Sequence, residues 1–290
     1  MGVRARSLAT AGAALALATA SLGAGCGGGG DSGPPDRFDS SAAMDLVRMQ
    51  VDMGPRPAGS AASRRLAERL RALLPGGRFQ AVPGGLRNVL ATVPGKEPGR
   101  VIVVGAHYDT KDIPGFVGAV DGASGTAVAV QLARTLKPRQ IGPTVVFALF
   151  DGEESPRGTP DTERAFQRRG LRGSKVAARS LRGAEAMVLL DFVGNRELEL
   201  PREPLSDEKL WGALVEAAER AGVDEAFIAS PVPSPISDDH VPFREAGVPA
   251  IDLIDFDFPC WHKRCDDLNQ VSERSLDVTG EAVLELLSSS

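Results

Sequence analysis

The stretch TVVFALFDGEES, Thr144 to Ser155, decides how this chain is read. Its apolar run, Val145 to Phe150, is too short for most helices and rich in β-branched and aromatic residues, so it reads as a strand buried on both faces. The run stops at Asp151, Gly152, Glu153 and Glu154. Three carboxylates in four residues at the end of a buried strand are costly unless they are solvated, paired or bound to a cation. A solvated acidic turn is the ordinary account of a Glu-Glu pair, so the decision rests on what accompanies it elsewhere in the chain.

Outward from this strand the pattern alternates. Val101 to Gly105 and Ala186 to Leu190 are buried strands on either side of it in sequence, and Ala250 to Ile254 is another. Between and around them the spacing predicts helices over Ser124 to Leu136, Ser174 to Leu181 and Ser272 to Leu287. A further helix has Leu210, Trp211, Leu214, Val215 and Ala218 on one face, Ser206 before it and Gly222 as its stop. Towards the N-terminus, helices are expected over Ala42 to Met53, after Asp39, Ser40 and Ser41 as candidate caps, and from Ser60 to the Gly76-Gly77 stop. Strand-like pieces follow at Phe79 to Val82 and Asn88 to Val93. Ser155 to Arg172 is long, polar and without an apolar pattern, so it reads as a loop. Repeated strand-helix alternation predicts an α/β fold of three layers, a mostly parallel central sheet with helices on both faces.

In such sheets ligands sit beyond the carboxyl ends of the strands. The polar clusters fall there. Val101 to Gly105 runs into His107, Tyr108 and Asp109; Val145 to Phe150 into Asp151, Glu153 and Glu154; Ala186 to Leu190 into Asp191; and the strand ending near Ile254 leads to Trp261 and His262. Asp121 sits in a Gly-rich turn that opens a helix. Two of the chain's 3 histidines belong to this set; His240, alone, reads as a structural residue. Two histidines with Asp121, Glu154 and Asp191 make the mixed nitrogen and oxygen donor set that Zn²⁺ accepts. Glu153 points away from its neighbour Glu154 if the backbone is extended, which leaves it free as a general base.

Residues 1 to 25 carry Arg4 and Arg6 and then an apolar, Ala-rich run to Leu22, the pattern of a secretory signal peptide. Its end, Leu22 to Cys26, resembles the lipobox of bacterial lipoproteins, with Gly23 where an aliphatic residue is usual. Lipidation at Cys26 would leave residues 26 to 38 as a flexible tether and place the working domain at 39 to 290, exported, extracellular or on the cell envelope. Loss of Arg4 and Arg6 takes the net charge from −5 to about −7. Basic residues are scattered, which excludes a nucleic-acid partner, and no later apolar run is long enough for a bilayer, so any membrane contact would come through the lipid alone. The remaining cysteines, Cys260 and Cys265, bracket Trp261 and His262. A disulfide there would persist in an exported protein, while a reduced pair or thiols on a metal are the alternatives.

The order His107, Asp121, Glu153-Glu154, Asp191, His262 resembles that of the family-28 zinc metallopeptidases over most of the chain, which implies the zinc aminopeptidase-like fold. Within that superfamily FVGAVDGA, FDGEE, LLDFVG, DDHVPF, GVP and FPCWH followed by Asp266-Asp267 are most similar to the glutaminyl-peptide cyclotransferases, the glutaminyl cyclases. That resemblance implies one Zn²⁺ on Asp121, Glu154 and His262, and a peptide or protein substrate with N-terminal Gln. Ring closure to pyroglutamate would release ammonia, with Glu153 moving the proton, Asp191 and Asp238 holding the amide nitrogen, and Trp261 walling the pocket. For Trp261 ordinary packing is the plain alternative. The chain is expected to act as a monomer.

The aminopeptidase branch implies a second pattern. Asp121 would bridge two ions, with His107 and Asp191 on one and Glu154 and His262 on the other, and N-terminal residues would be removed by hydrolysis. By comparison with the cyclases, His107 reads as structural support rather than a ligand. A third class, an inactive binding module on the same scaffold, is disfavoured because Glu153, Asp121, Glu154 and His262 are all present.

Overall fold

In the computed structural model, residues 36–230 and 232–290 are described; the expected signal peptide, Cys26 and most of the expected tether lie outside them. In chain order the elements are α1 (Ser40–Val51), α2 (Ala61–Leu73), β1 (Arg78–Val82), β2 (Leu86–Val93), β3 (Glu97–His107), α3 (Ala123–Thr135), β4 (Pro143–Phe150), α4 (Glu163–Arg169) and α5 (Arg172–Ser180). They continue with β5 (Ala186–Asp191), β6 (Leu200–Pro201), α6 (Glu208–Ala221), β7 (Phe227–Ile228), α7 (His240–Glu245), β8 (Ala250–Ile254) and α8 (Glu273–Ser289).

One sheet of 6 strands carries the fold, in the order β1-β2-β4-β3-β5-β8. β4, β3, β5 and β8 run parallel, and β2 and β1 add an antiparallel edge. The period of 2 along each strand sorts the core into two halves. Val104, Phe147, Leu149, Val188, Leu190 and Leu253 face one layer, where α1, α2, α3, α6 and α8 contribute Val47, Leu66, Val128, Leu214 and Leu284. Val103, Val146, Ala148, Phe150, Met187 and Leu189 face the other, against Ala177 of α5 and Phe243 of α7. Helices therefore cover both faces, the three-layer arrangement expected. Phe38 is buried and packs against Gly280 of α8, so the packed body begins just before α1.

The helix starts follow side-chain capping. Asp39 accepts from the Ala42 amide, Ser60 from Ser63 and Ser272 from Ser275. At α6 the cap is Asp207, not Ser206; the Ser206 hydroxyl instead accepts from the Asp252 amide and lies against Glu203. The expected loop from Ser155 to Arg172 contains α4. This helix is capped by Thr162 and buries Ala165 alone, so it has no apolar stripe for periodicity to detect. α7 and the short pair β6–β7 also carry too little pattern to be read.

Strand order reverses at β3, which has β4 on one side and β5 on the other. The crevice beyond the carboxyl ends of these three parallel strands is the place such a sheet offers a ligand.

Candidate active site

β3 ends at His107, β5 at Asp191, and β4 runs directly into the Asp151–Glu154 turn. Gly122, the residue before α3, has φ +87, and a Cβ there would lie 2.8 Å from His107 Cε1 and 3.0 Å from the Asp109 carbonyl oxygen. Only glycine takes both the left-handed backbone and the close approach, and this brings Asp121 over the end of β3. The last contributor is the loop after β8, with Trp261 and His262.

These elements bring the expected residues together. His262 Nε2 lies 3.1 Å from Glu154 Oε1 and 3.6 Å from Asp121 Oδ2. On the other side of Asp121, His107 Nε2 lies 3.2 Å from Asp121 Oδ1 and 3.3 Å from Asp191 Oδ1. Asp121 thus joins two triads, Asp121–Glu154–His262 and His107–Asp121–Asp191, each with donor atoms within 4.8 Å of one another. All are buried except His262, which is partly exposed.

The two triads differ in how their oxygens are satisfied. Among the described residues, Asp121 Oδ2 and Glu154 Oε1 are buried with no hydrogen-bond donor, and both face His262. Two orphaned carboxylate oxygens beside an imidazole nitrogen are costly without a cation and suit Zn²⁺, which takes three protein ligands of this kind in catalytic sites. In the other triad Asp191 Oδ1 accepts from the Phe192 amide at 2.9 Å, and His107 Nδ1 lies 3.1 Å from the Asp109 carbonyl oxygen. Burial lowers the His107 pKa, but Asp191, Asp109 and Asp121 outweigh it and raise it well above the ordinary value. Asp191 and His107 each have a main-chain partner.

Glu153 and Asp238 line the same crevice as Asp191, Trp261 and the Asp121 triad, in a cavity of about 580 Å³. Both carboxyls are buried. Burial, with Glu154 adding to it, raises the Glu153 pKa well above the carboxylate range. For Asp238 the causes are burial, Asp252 and Asp191. Carboxyls whose pKa is raised in a cleft are suited to general acid-base work. Trp261 stacks on His262, ring centroids 4.5 Å apart at 25°, and is 39% exposed, so it is a wall and not core packing. His240, read as structural, is buried between Glu203 and Asp252 at 3.2 and 3.5 Å.

Several residues that frame the site had no assigned role in the sequence. Asp109 accepts from three successive amides, Gly152 at 2.9 Å, Glu153 at 3.2 Å and Glu154 at 3.3 Å, and so fixes the Glu pair from beneath. Arg172 donates to the Gly152 and Glu154 carbonyls. Asp266 accepts from the Val120 and Asp121 amides at 2.7 and 3.1 Å. Lys111 Nζ donates to Glu154 Oε2 at 2.8 Å and leaves Oε1 towards His262. The available signals were the spacing of Asp109 two residues after His107 and the DD pair after Cys265; nothing marked Lys111 or Arg172.

Cys260 and Cys265 form a disulfide that closes the loop carrying Trp261 and His262. Among the described residues no helix is long and apolar enough to cross a membrane.

Comparison with known proteins agrees with this geometry. Residues 88–287 match the model of Peptidase family M28. The glutaminyl-peptide cyclotransferase of Bothrops jararaca is 29% identical, the match covering 80% of this chain and 76% of that protein. Among solved structures, the Porphyromonas gingivalis glutaminyl cyclase superimposes with a TM-score of 0.76 at 29% identity, covering 88% of this chain and 99% of the other. A leucine aminopeptidase precursor from Bacteroides thetaiotaomicron superimposes with a TM-score of 0.77 at 25% identity, covering 88% and 98%.

Proposed function

The chain belongs to peptidase family M28, and from that premise we propose that it cyclises N-terminal glutamine of peptides or proteins to pyroglutamate with release of ammonia. Likeness to glutaminyl-peptide cyclotransferases along four-fifths of the chain supports this. The observation that carries it is the pair of orphaned oxygens, Asp121 Oδ2 and Glu154 Oε1, that face His262. It favours one zinc, on Asp121, Glu154 and His262, with His107 as a structural support beside Asp121 and Asp191.

When bound there, zinc supplies a Lewis acid for the side-chain amide carbonyl of the substrate glutamine. Glu153 accepts a proton from the attacking α-amine and returns it to the amide nitrogen, so that the bond between amine nitrogen and Cδ forms as the bond from Cδ to the leaving nitrogen breaks. Asp191 and Asp238 line the same crevice and hold the departing –NH₂ group by hydrogen bonds. Trp261 lies along the aliphatic stem and excludes water from the five-membered ring as it closes. The signal sequence and Cys260–Cys265 support export, and Leu22 to Cys26 supports a lipid anchor at Cys26.

Ammonia release from a Gln-initiated dipeptide, beside amine release from a Leu-initiated chromogenic amide, tests the reading. Ammonia is expected, lost on chelation and reduced about 10²–10⁴-fold in Glu153→Gln, with about one zinc per chain by elemental analysis. Cleavage of the leucine amide alone, with two zinc ions per chain, would instead establish hydrolysis and make His107 a ligand.

A further inference from the structure

We propose that Phe256, packed on Trp261, forms a shelf for the side chain of the residue after the N-terminal glutamine and selects aromatic and bulky apolar residues there. This rests on the cyclase reading above.

Among the described residues, Phe256 and Trp261 are the exposed large hydrophobic side chains, each at 39%. Both line the crevice, and their ring centroids are 5.2 Å apart. Large apolar side chains are normally buried, and two exposed aromatic rings in contact at a cavity mouth mark a surface that something apolar covers.

Trp261 stacks at 4.5 Å on His262, beside which the reacting amide must sit, and Phe256 packs on Trp261 at 5.2 Å. In the substrate the next Cα follows the glutamine Cα by about 3.8 Å, a step comparable to that between the two rings. The side chain of the second residue is therefore the group brought against Phe256.

The shelf is backed from beneath. Phe192, buried and directly after Asp191, meets Phe256 edge-on at 6.4 Å and 74°, and packs on Phe258 at 6.0 Å. Phe166 of α4 and Ile236 add apolar lining to the same crevice. The basic groups that line the crevice are each paired with an acid, Lys111 with Glu154 and Arg157 with Asp112.

The test compares kcat/KM for Gln-Phe amide, Gln-Ala amide and Gln-Glu amide by ammonia release, in the unmodified chain and in Phe256→Ala and Phe256→Leu. Gln-Phe is expected to exceed Gln-Ala about fivefold to tenfold, the contribution of an added aromatic contact, with the difference carried in KM. In Phe256→Ala the ratio should fall below about twofold, while Phe256→Leu keeps part of it. Zinc content of the same preparations separates loss of the shelf from loss of the metal centre. An unmodified chain without this preference, or a ratio that survives Phe256→Ala, overturns the shelf but leaves the cyclase reading. No ammonia from any of the three amides overturns the cyclase reading, and the shelf with it.

Discussion

Opening the Cys260–Cys265 bridge by the double substitution Cys260→Ser and Cys265→Ser should weaken zinc binding up to about thirtyfold without unfolding the domain. His262 sits inside the closed ring, whose ends are separated by 5 positions, and it holds a left-handed backbone at φ 51. Such a conformation costs a non-glycine residue about 1–3 kcal/mol. Released from the bridge, the segment relaxes, and zinc must re-order it on binding. For a ring this small, the chain-entropy relation puts that ordering at about 2 kcal/mol, equivalent to roughly a thirtyfold change in affinity. This is an upper bound, because the Asp266 amide still donates to the Lys263 carbonyl, and Arg264 to that of Pro114. The serine pair is a cleaner probe than reduction, since free thiols could themselves take zinc. The assay is a competition titration against a chromogenic chelator, with circular dichroism to verify the fold. Affinity within twofold of the bridged chain would refute the reasoning and leave the bridge a role in global stability alone.

Two further substitutions read other parts of the argument. Gly122→Ala should lower the melting temperature and the zinc content together, because its Cβ falls 2.8 Å from His107 Cε1 at φ +87 and the strain costs about 1–3 kcal/mol before any repacking. Asp255 gives a pH test at a carboxyl outside both triads. Burial, against opposing hydrogen bonds from Asn195 and the Glu199 amide, pushes its carboxyl from 3.8 up to about 6. Below about pH 4 both folded and unfolded forms are protonated and nothing is lost. Between about pH 4 and 6 the folded chain keeps a proton that the unfolded chain has released, so stability falls as pH rises, by at most about 3 kcal/mol. Urea melts across that range should show this slope, and Asp255→Asn should flatten it.

The parallel sheet was legible because β3, β4, β5 and β8 are built on short, mostly apolar runs, and their polar successors could be matched to strand ends by a general rule of such sheets. The antiparallel edge was legible only as two strand-like pieces. α4 was missed because a seven-residue helix that buries Ala165 alone leaves no periodicity, and α7 because six residues with a central proline do not form a stripe. Within the site, side chains that meet one another were easier to read than side chains that meet the backbone. Asp121, Glu154 and His262 are unusual residue types at telling positions. Arg172 and Lys111 are ordinary surface types until a fold turns them inward, and their contacts join segments far apart in the chain or lie at the end of flexible stems.

Asp109 and Asp266 share a property that bears on how such a centre changes its trade. Both carboxylates take main-chain amides, of residues 152 to 154 in one case and 120 and 121 in the other. The positions from which Glu153, Glu154 and Asp121 project are thus set by groups present in every residue, whatever side chain is attached. A replacement at 121, 153 or 154 inherits the same point of departure, so mutation can explore new reactivity without first rebuilding the frame. Ring closure and bond hydrolysis then become tenants of one chassis, distinguished by the walls around it.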